Sequence, residues 1–106
     1  MERIEVEKRI RVIAQRRAQL LNKKISKEAI DAINSDIIKH EEPLIRDMKK
    51  DGSIIIKSKS YNIYKSEEKL VEIASLYAER NNRDMILSID VKSAMKEICP
   101  RYWPFC

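Results

Sequence analysis

Apolar residues along residues 70–98 follow one period, then another, then the first again. Leu70, Ile73, Ala74, Tyr77 and Ala78 stand at i, i+3, i+4, i+7 and i+8, one stripe of a 3.6-residue helix. Ser66 occupies an N-cap position, and Glu67 and Glu68 follow in the first turn, where the helix dipole favours anions. Arg80, Asn81, Asn82 and Arg83 end the stripe with cations and with side chains that tolerate the left-handed region. Met85, Ile86 and Leu87 predict a short strand, and Ser88 caps a last helix with Val91, Ala94, Met95 and Ile98 inward.

The preceding residues predict more helix and one hairpin. Over residues 6–21, Val6, Ile10, Ile13 and Leu20 share a stripe that Arg17 interrupts. Residues 22–24 break this helix, Ile25 reads as extended, and Ser26 caps a second helix whose core stripe is Ile30, Ile33 and Ile37. Pro43 would remove a hydrogen bond inside a helix, so it is read as starting a short separate one, residues 43–50, with Leu44, Ile45 and Met48 inward. Asp51-Gly52 signals a turn, and the β-prone runs 53–57 and 60–64 flank Ser58-Lys59 as a hairpin.

The expected class is therefore mainly α with a small β-hairpin, in one domain spanning residues 1–106. Its parts are a basic N-terminal helix (1–24), helices (25–50), the hairpin (53–64), a helix–strand–helix unit (66–98) and a Cys-bracketed aromatic tail (99–106). A charged fraction of 37% and a single glycine agree with long helices. The abundance of Ile, Lys and Glu is thermophile-like.

Charge adds a functional reading. The net charge of +5 is concentrated in residues 1–24, which hold eight Lys and Arg against three Glu, and in residues 51–66. Arg9, Arg16 and Lys23 recur every seven residues and lie along one line of a helix, a spacing suited to tracking phosphates. The alternative is the solvated face of an amphipathic helix, and spacing alone does not separate the two.

The unit from Leu70 to Ile98 resembles the second half of a histone fold, with Arg83 and Asp90 at the separation of the loop arginine and last-helix aspartate that form an ion pair there. The run Lys24-Ile25-Ser26-Lys27-Glu28-Ala29 is similar to that family's first loop as it enters the central helix. A histone-like unit implies a homodimer or histone-like heterodimer, because its central helix has an uncovered apolar face. It also implies contacts to double-stranded DNA from the loops, through Lys23, Lys24 and Ser26 in this chain. Two departures stand out: about twenty residues interrupt the central helix, and Asp84 and Met85 replace the lysine and threonine of the histone loop. The same ending also resembles the lid subdomain of AAA+ ATPases, in which an insertion at this place is usual; no G-x-x-x-x-G-K loop accompanies it. The middle run LIRDMKKDGSIII, with YNIY after it, looks like the third helix and wing of a winged-helix domain, which implies that Lys49, Lys50, Lys57 and Lys59 face DNA.

Catalytic chemistry finds no foothold: one His, no phosphate loop, no nucleophile beside a base, and carboxylates dispersed among Lys and Arg. No catalytic residue, metal ligand set or cofactor is expected. His40 reads as a solvated helix end. Cys99 and Cys106 are read as free thiols in preference to a short disulfide loop, on compartment grounds. Tyr102, Trp103 and Phe105 are read as an internal cap on the core. No apolar run is long enough to span a bilayer, and residues 1–24 are too charged for a signal peptide, so an intracellular protein of cytoplasm, nucleoid or nucleus is expected. The leading functional expectation is duplex DNA binding with little sequence preference, using Arg9, Arg16, Lys23, Lys24, Ser26, Lys57 and Lys59. The alternatives are a protein–protein interaction module that touches no nucleic acid and a winged-helix regulator.

Overall fold

The computed structural model describes residues 2–39 and 46–105. Their order is α1 (Arg3–Leu20), β1 (Lys24–Ile25), α2 (Lys27–Ile38), β2 (Ser53–Ile56), β3 (Lys59–Asn62), α3 (Ile63–Arg80), β4 (Met85–Ile86) and α4 (Ser88–Ile98). The chain is mainly helical, with one antiparallel hairpin and one short parallel pair.

Two helix–strand–helix units, α1–β1–α2 and α3–β4–α4, face each other. Their strands pair in parallel, Lys24 with Met85 and Ile25 with Ile86. The Lys24 amide donates to the Asp84 carbonyl at 2.8 Å, and the Ser26 amide to Ile86 at 3.0 Å. The helices ending before these strands terminate alike. Asn22 and Asn82 both take φ of 55°, which lets the next amide turn back: Lys23 N–H reaches Ala18 O at 2.9 Å and Arg83 N–H reaches Ala78 O at 3.0 Å. The pair β1–β4 is thus a contact within one chain, and α3 is covered by α1 and α4.

One apolar cluster fills the space between the units. From α1 it takes Val6, Ile10, Ala14 and Ala18, a strict i+4 row. That row corrects the expected stripe: Ile13 is only half-buried and Leu20 is 73% exposed, because alanines let α1 lie close against its neighbours. Arg17, expected to interrupt the stripe, reaches across to α3 and pairs with Glu68 and, at 3.1 Å, Glu72. In α2, Ser26 Oγ accepts from Ala29 N–H at 3.0 Å, and Ile30, Ile33 and Ile37 are buried.

Between the units, the expected helix 43–50 begins in residues outside the described ones, as does His40; Asp47 to Lys50 is not helical, although Met48 is buried. The hairpin turns one residue earlier than expected. Lys57 and Ser58 form its tip with φ of 51° and 67°, the left-handed pair that matches strand twist, so Lys59 pairs with Ile56. The hairpin then runs directly into α3, and Asn62, not Ser66, caps it by accepting from Lys65 N–H at 3.1 Å. Ser88 likewise is not a cap: it is the first residue of α4, and the Asp90 carboxylate accepts the Leu87 N–H at 2.8 Å.

The tail folds back onto the core. Trp103 is wholly buried, donates its indole N–H to Asp36 of α2, and meets Phe105 edge-on with centroids 5.3 Å apart. Cys99 is disulfide-bonded, which corrects the expectation of free thiols; the chain's only other cysteine is Cys106.

Candidate anion-binding face

The basic side chains fall into distinct groups according to what holds them. Arg3, Arg17 and Arg83 are tied into ion pairs. Arg83 places Nη1 and Nη2 at 2.7 and 2.8 Å from the two carboxylate oxygens of the nearly buried Asp90, and Nη1 also donates to Met85 O. The guanidinium hydrogen bonds hold the Asp90 carboxyl below its usual range, against the opposing effect of its burial. With both forks engaged, Arg83 fastens the loop to α4 and has little left to offer a ligand.

A second group has no carboxylate partner among the described residues. Arg9 and Arg16 lie two turns apart on α1, and both line a groove of about 420 Å³ between α1 and the start of α3, together with Lys65 and Asn62. Arg9 also lies over the Tyr64 ring, 5.8 Å from its centroid. Lys65 and Asn62 are shared with a larger groove of about 640 Å³, lined by Lys59, Lys69, Arg101, Tyr61 and Tyr102. Lys65 therefore stands on the ridge between two basic hollows. Among the described residues, none of Arg9, Arg16, Lys59, Lys65, Lys69 and Arg101 has a carboxylate partner. The first groove does contain Asp51 and Glu68, with Glu68 already engaged by Arg17. Among the described residues, no acidic one lines the second.

The residues singled out from the sequence are thus divided. Arg9, Arg16 and Lys59 come together around Lys65. Lys57 is exposed at the hairpin tip, two residues from Lys59. Lys23 and Lys24 lie past the C-terminal end of α1, about 16 Å along the helix axis from Arg9 at Leu20 alone, and line neither groove. Ser26 spends its hydroxyl on the α2 cap. Lys49 and Lys50 precede the turn at Gly52 and are exposed.

Sequence reasoning missed Lys65, Lys69 and Arg101. Lys65 and Lys69 are four apart and share one face of α3, a spacing visible in the sequence. Arg101 comes from the tail, and only the folded chain carries it to them.

Glu67 follows Lys65 by two residues on α3. It is fully buried, and neither carboxylate oxygen has a hydrogen-bond partner. Burial, with a smaller contribution from Glu68, pushes its carboxyl well above the usual range, so the neutral acid is the form that suits the core. Among the described residues, no three His, Cys, Asp or Glu side chains come together as a metal site, and no helix is long and apolar enough to cross a membrane. Comparison with protein-family models, curated proteins and solved structures gives no match to this chain.

Proposed function

We propose that the protein is a small, non-enzymatic nucleic-acid-binding protein that holds duplex DNA by its phosphates, with little sequence preference. The observation that carries this reading is the continuous set of cations without carboxylate partners among the described residues, Arg9 and Arg16 on α1, Lys65 on α3 and Lys59 on β3. Lys57 extends the set at the hairpin tip. Such cations displace the counterions condensed on DNA, and that release supplies sequence-independent affinity. Asp84 is exposed beside Lys24 where β1 and β4 pair, so the loop pair of the histone resemblance is left out of the proposed surface.

The protein binds as a monomer in this reading. The reason for expecting a homodimer or histone-like heterodimer was an uncovered apolar helix face, and here α1 and α4 of the same chain cover α3. Light scattering at high concentration tests this point. Titration of a labelled duplex at rising ionic strength tests the DNA contact itself.

A second reading, an interaction module of a larger assembly related to lid subdomains, draws support from the pairing of β1 with β4 inside one chain. The same pairing separates β1 from the hairpin, so the hairpin stands as a wing without a third strand. A protein that ignores DNA at low salt, yet is recovered with a defined protein partner, would fit the second reading.

A further inference from the structure

The larger of the two basic grooves differs from the rest of the proposed DNA surface in shape as well as in charge. Three separate elements build it: Lys59 from β3, Lys65 and Lys69 from α3, and Arg101 from the tail. The Tyr102 ring contacts two of these cations. The Lys69 ammonium lies 4.1 Å from its ring centroid, and the Arg101 guanidinium carbon lies 5.2 Å from it. The ring thereby holds two positive groups near each other that would otherwise separate by repulsion. The tail segment that carries Arg101 and Tyr102 is itself anchored, since buried Trp103 follows at once and donates to Asp36.

Four cations around a hollow of about 640 Å³, with no carboxylate in its lining among the described residues, are more positive charge than a passing strand needs. A duplex backbone presents its charges singly along each strand, about 3.4 Å of helix axis apart. A compact cluster of negative charge makes better use of convergent cations. Ser60 and Ser66, also in the lining, are neutral groups of the kind that complete phosphate recognition.

We propose that this groove is a binding site for a compact, multiply charged phosphate group. Its source is either the terminal phosphate of a nucleic-acid strand or the linked phosphates of a free small molecule; the two share the chemistry that Lys59, Lys65, Lys69 and Arg101 recognise. The proposal rests on the reading of this face as phosphate-binding, and names a ligand that the α1 arginines do not take.

The test uses the full chain and three probes: sodium tripolyphosphate, a duplex with 5′-phosphate ends, and the same duplex with 5′-hydroxyl ends. Saturable tripolyphosphate binding by calorimetry is expected, weakened about tenfold or more by Lys69→Glu with Arg101→Glu and by the milder Lys65→Gln with Lys69→Gln. Arg9→Glu with Arg16→Glu should leave it within about threefold. A preference for the 5′-phosphate duplex that the Lys69 and Arg101 changes abolish assigns the groove to strand ends. Equal affinity for both duplexes, with tripolyphosphate still bound, assigns it to a free polyphosphate. Absence of saturable tripolyphosphate binding, or equal losses from the two charge-reversal pairs, overturns the proposal. Failure of the unaltered chain to bind the 5′-hydroxyl duplex at low salt overturns the broader DNA reading while leaving tripolyphosphate binding in place, so the two failures are distinguishable.

Discussion

Asn22 and Asn82 end the two long helices of the chain with the same backbone angle, φ of 55°, and the same returning hydrogen bonds to Ala18 and Ala78. Each asparagine sends its chain into one strand of the parallel pair, so the two bends together set the register of Lys24 with Met85. A β-branched residue resists this conformation. Asn22→Val and Asn82→Val should each cost about 1–2 kcal/mol, whereas glycine at either position should be nearly neutral. Chemical denaturation followed by circular dichroism checks both.

Gly52 has a similar role with less freedom to change. Its φ is 90°, and a Cβ there would stand 2.6 Å from Tyr64 Cδ2, while its own carbonyl accepts the Ile63 N–H that starts α3. Gly52→Ala should therefore destabilise the chain by about 1–3 kcal/mol. Near-ultraviolet dichroism from the tyrosines should report the displacement of Tyr64.

Asp90 serves α4 twice, as the partner of Arg83 and as acceptor for the Leu87 N–H. Its carboxyl titrates lower in the folded chain than in the unfolded one, chiefly through the Arg83 hydrogen bonds. The stabilisation is thus present above the ordinary Asp range and fades as pH falls through that range toward the lowered folded value. Asp90→Asn should cost about 1.5–3 kcal/mol at neutral pH and much less at acidic pH. Denaturation midpoints across that range measure the difference.

Glu67 has the opposite sign. Its folded carboxyl titrates well above the ordinary Glu range, so the folded chain binds the proton more tightly than the unfolded one. Stability should fall as pH rises from the ordinary range through the raised value. Glu67→Gln should remove that slope, and Glu67→Leu should raise stability at neutral pH by about 1–3 kcal/mol, since it eliminates a buried group without partners.

The helix–strand–helix unit at residues 70–98 was readable because its apolar spacing, its Asn-rich bend and its β-prone link are all local signals. Errors cluster where distant chain segments choose between equivalent local options. Val6, Ile10, Ala14 and Ala18 won the core over Ile13 and Leu20 because close helix packing favours small residues at the contact. Asn62 won the α3 cap over Ser66 because the hairpin, anchored by Asn62 Nδ2 to Asp51 O, enters the helix four residues early. The α1 arginines of the candidate site were legible from their heptad spacing. Their neighbours were not, because the ridge at Lys65 joins α1, the hairpin and the tail only in three dimensions.

The central claim is that the unpaired cations on α1 and around Lys65 hold duplex DNA through its phosphates. A fluorescein-labelled duplex with 5′-hydroxyl ends, titrated by anisotropy between about 50 and 200 mM salt, measures this directly. With contacts from Arg9, Arg16, Lys57, Lys59 and Lys65, the logarithm of affinity should fall with the logarithm of salt at a slope of about −4.5, and Arg9→Glu with Arg16→Glu should flatten it by about 2. Exchanging Lys23 and Lys24 for Gln should change the slope far less. Absence of binding at the lowest salt, or a slope that the α1 variant leaves unchanged, would contradict the account.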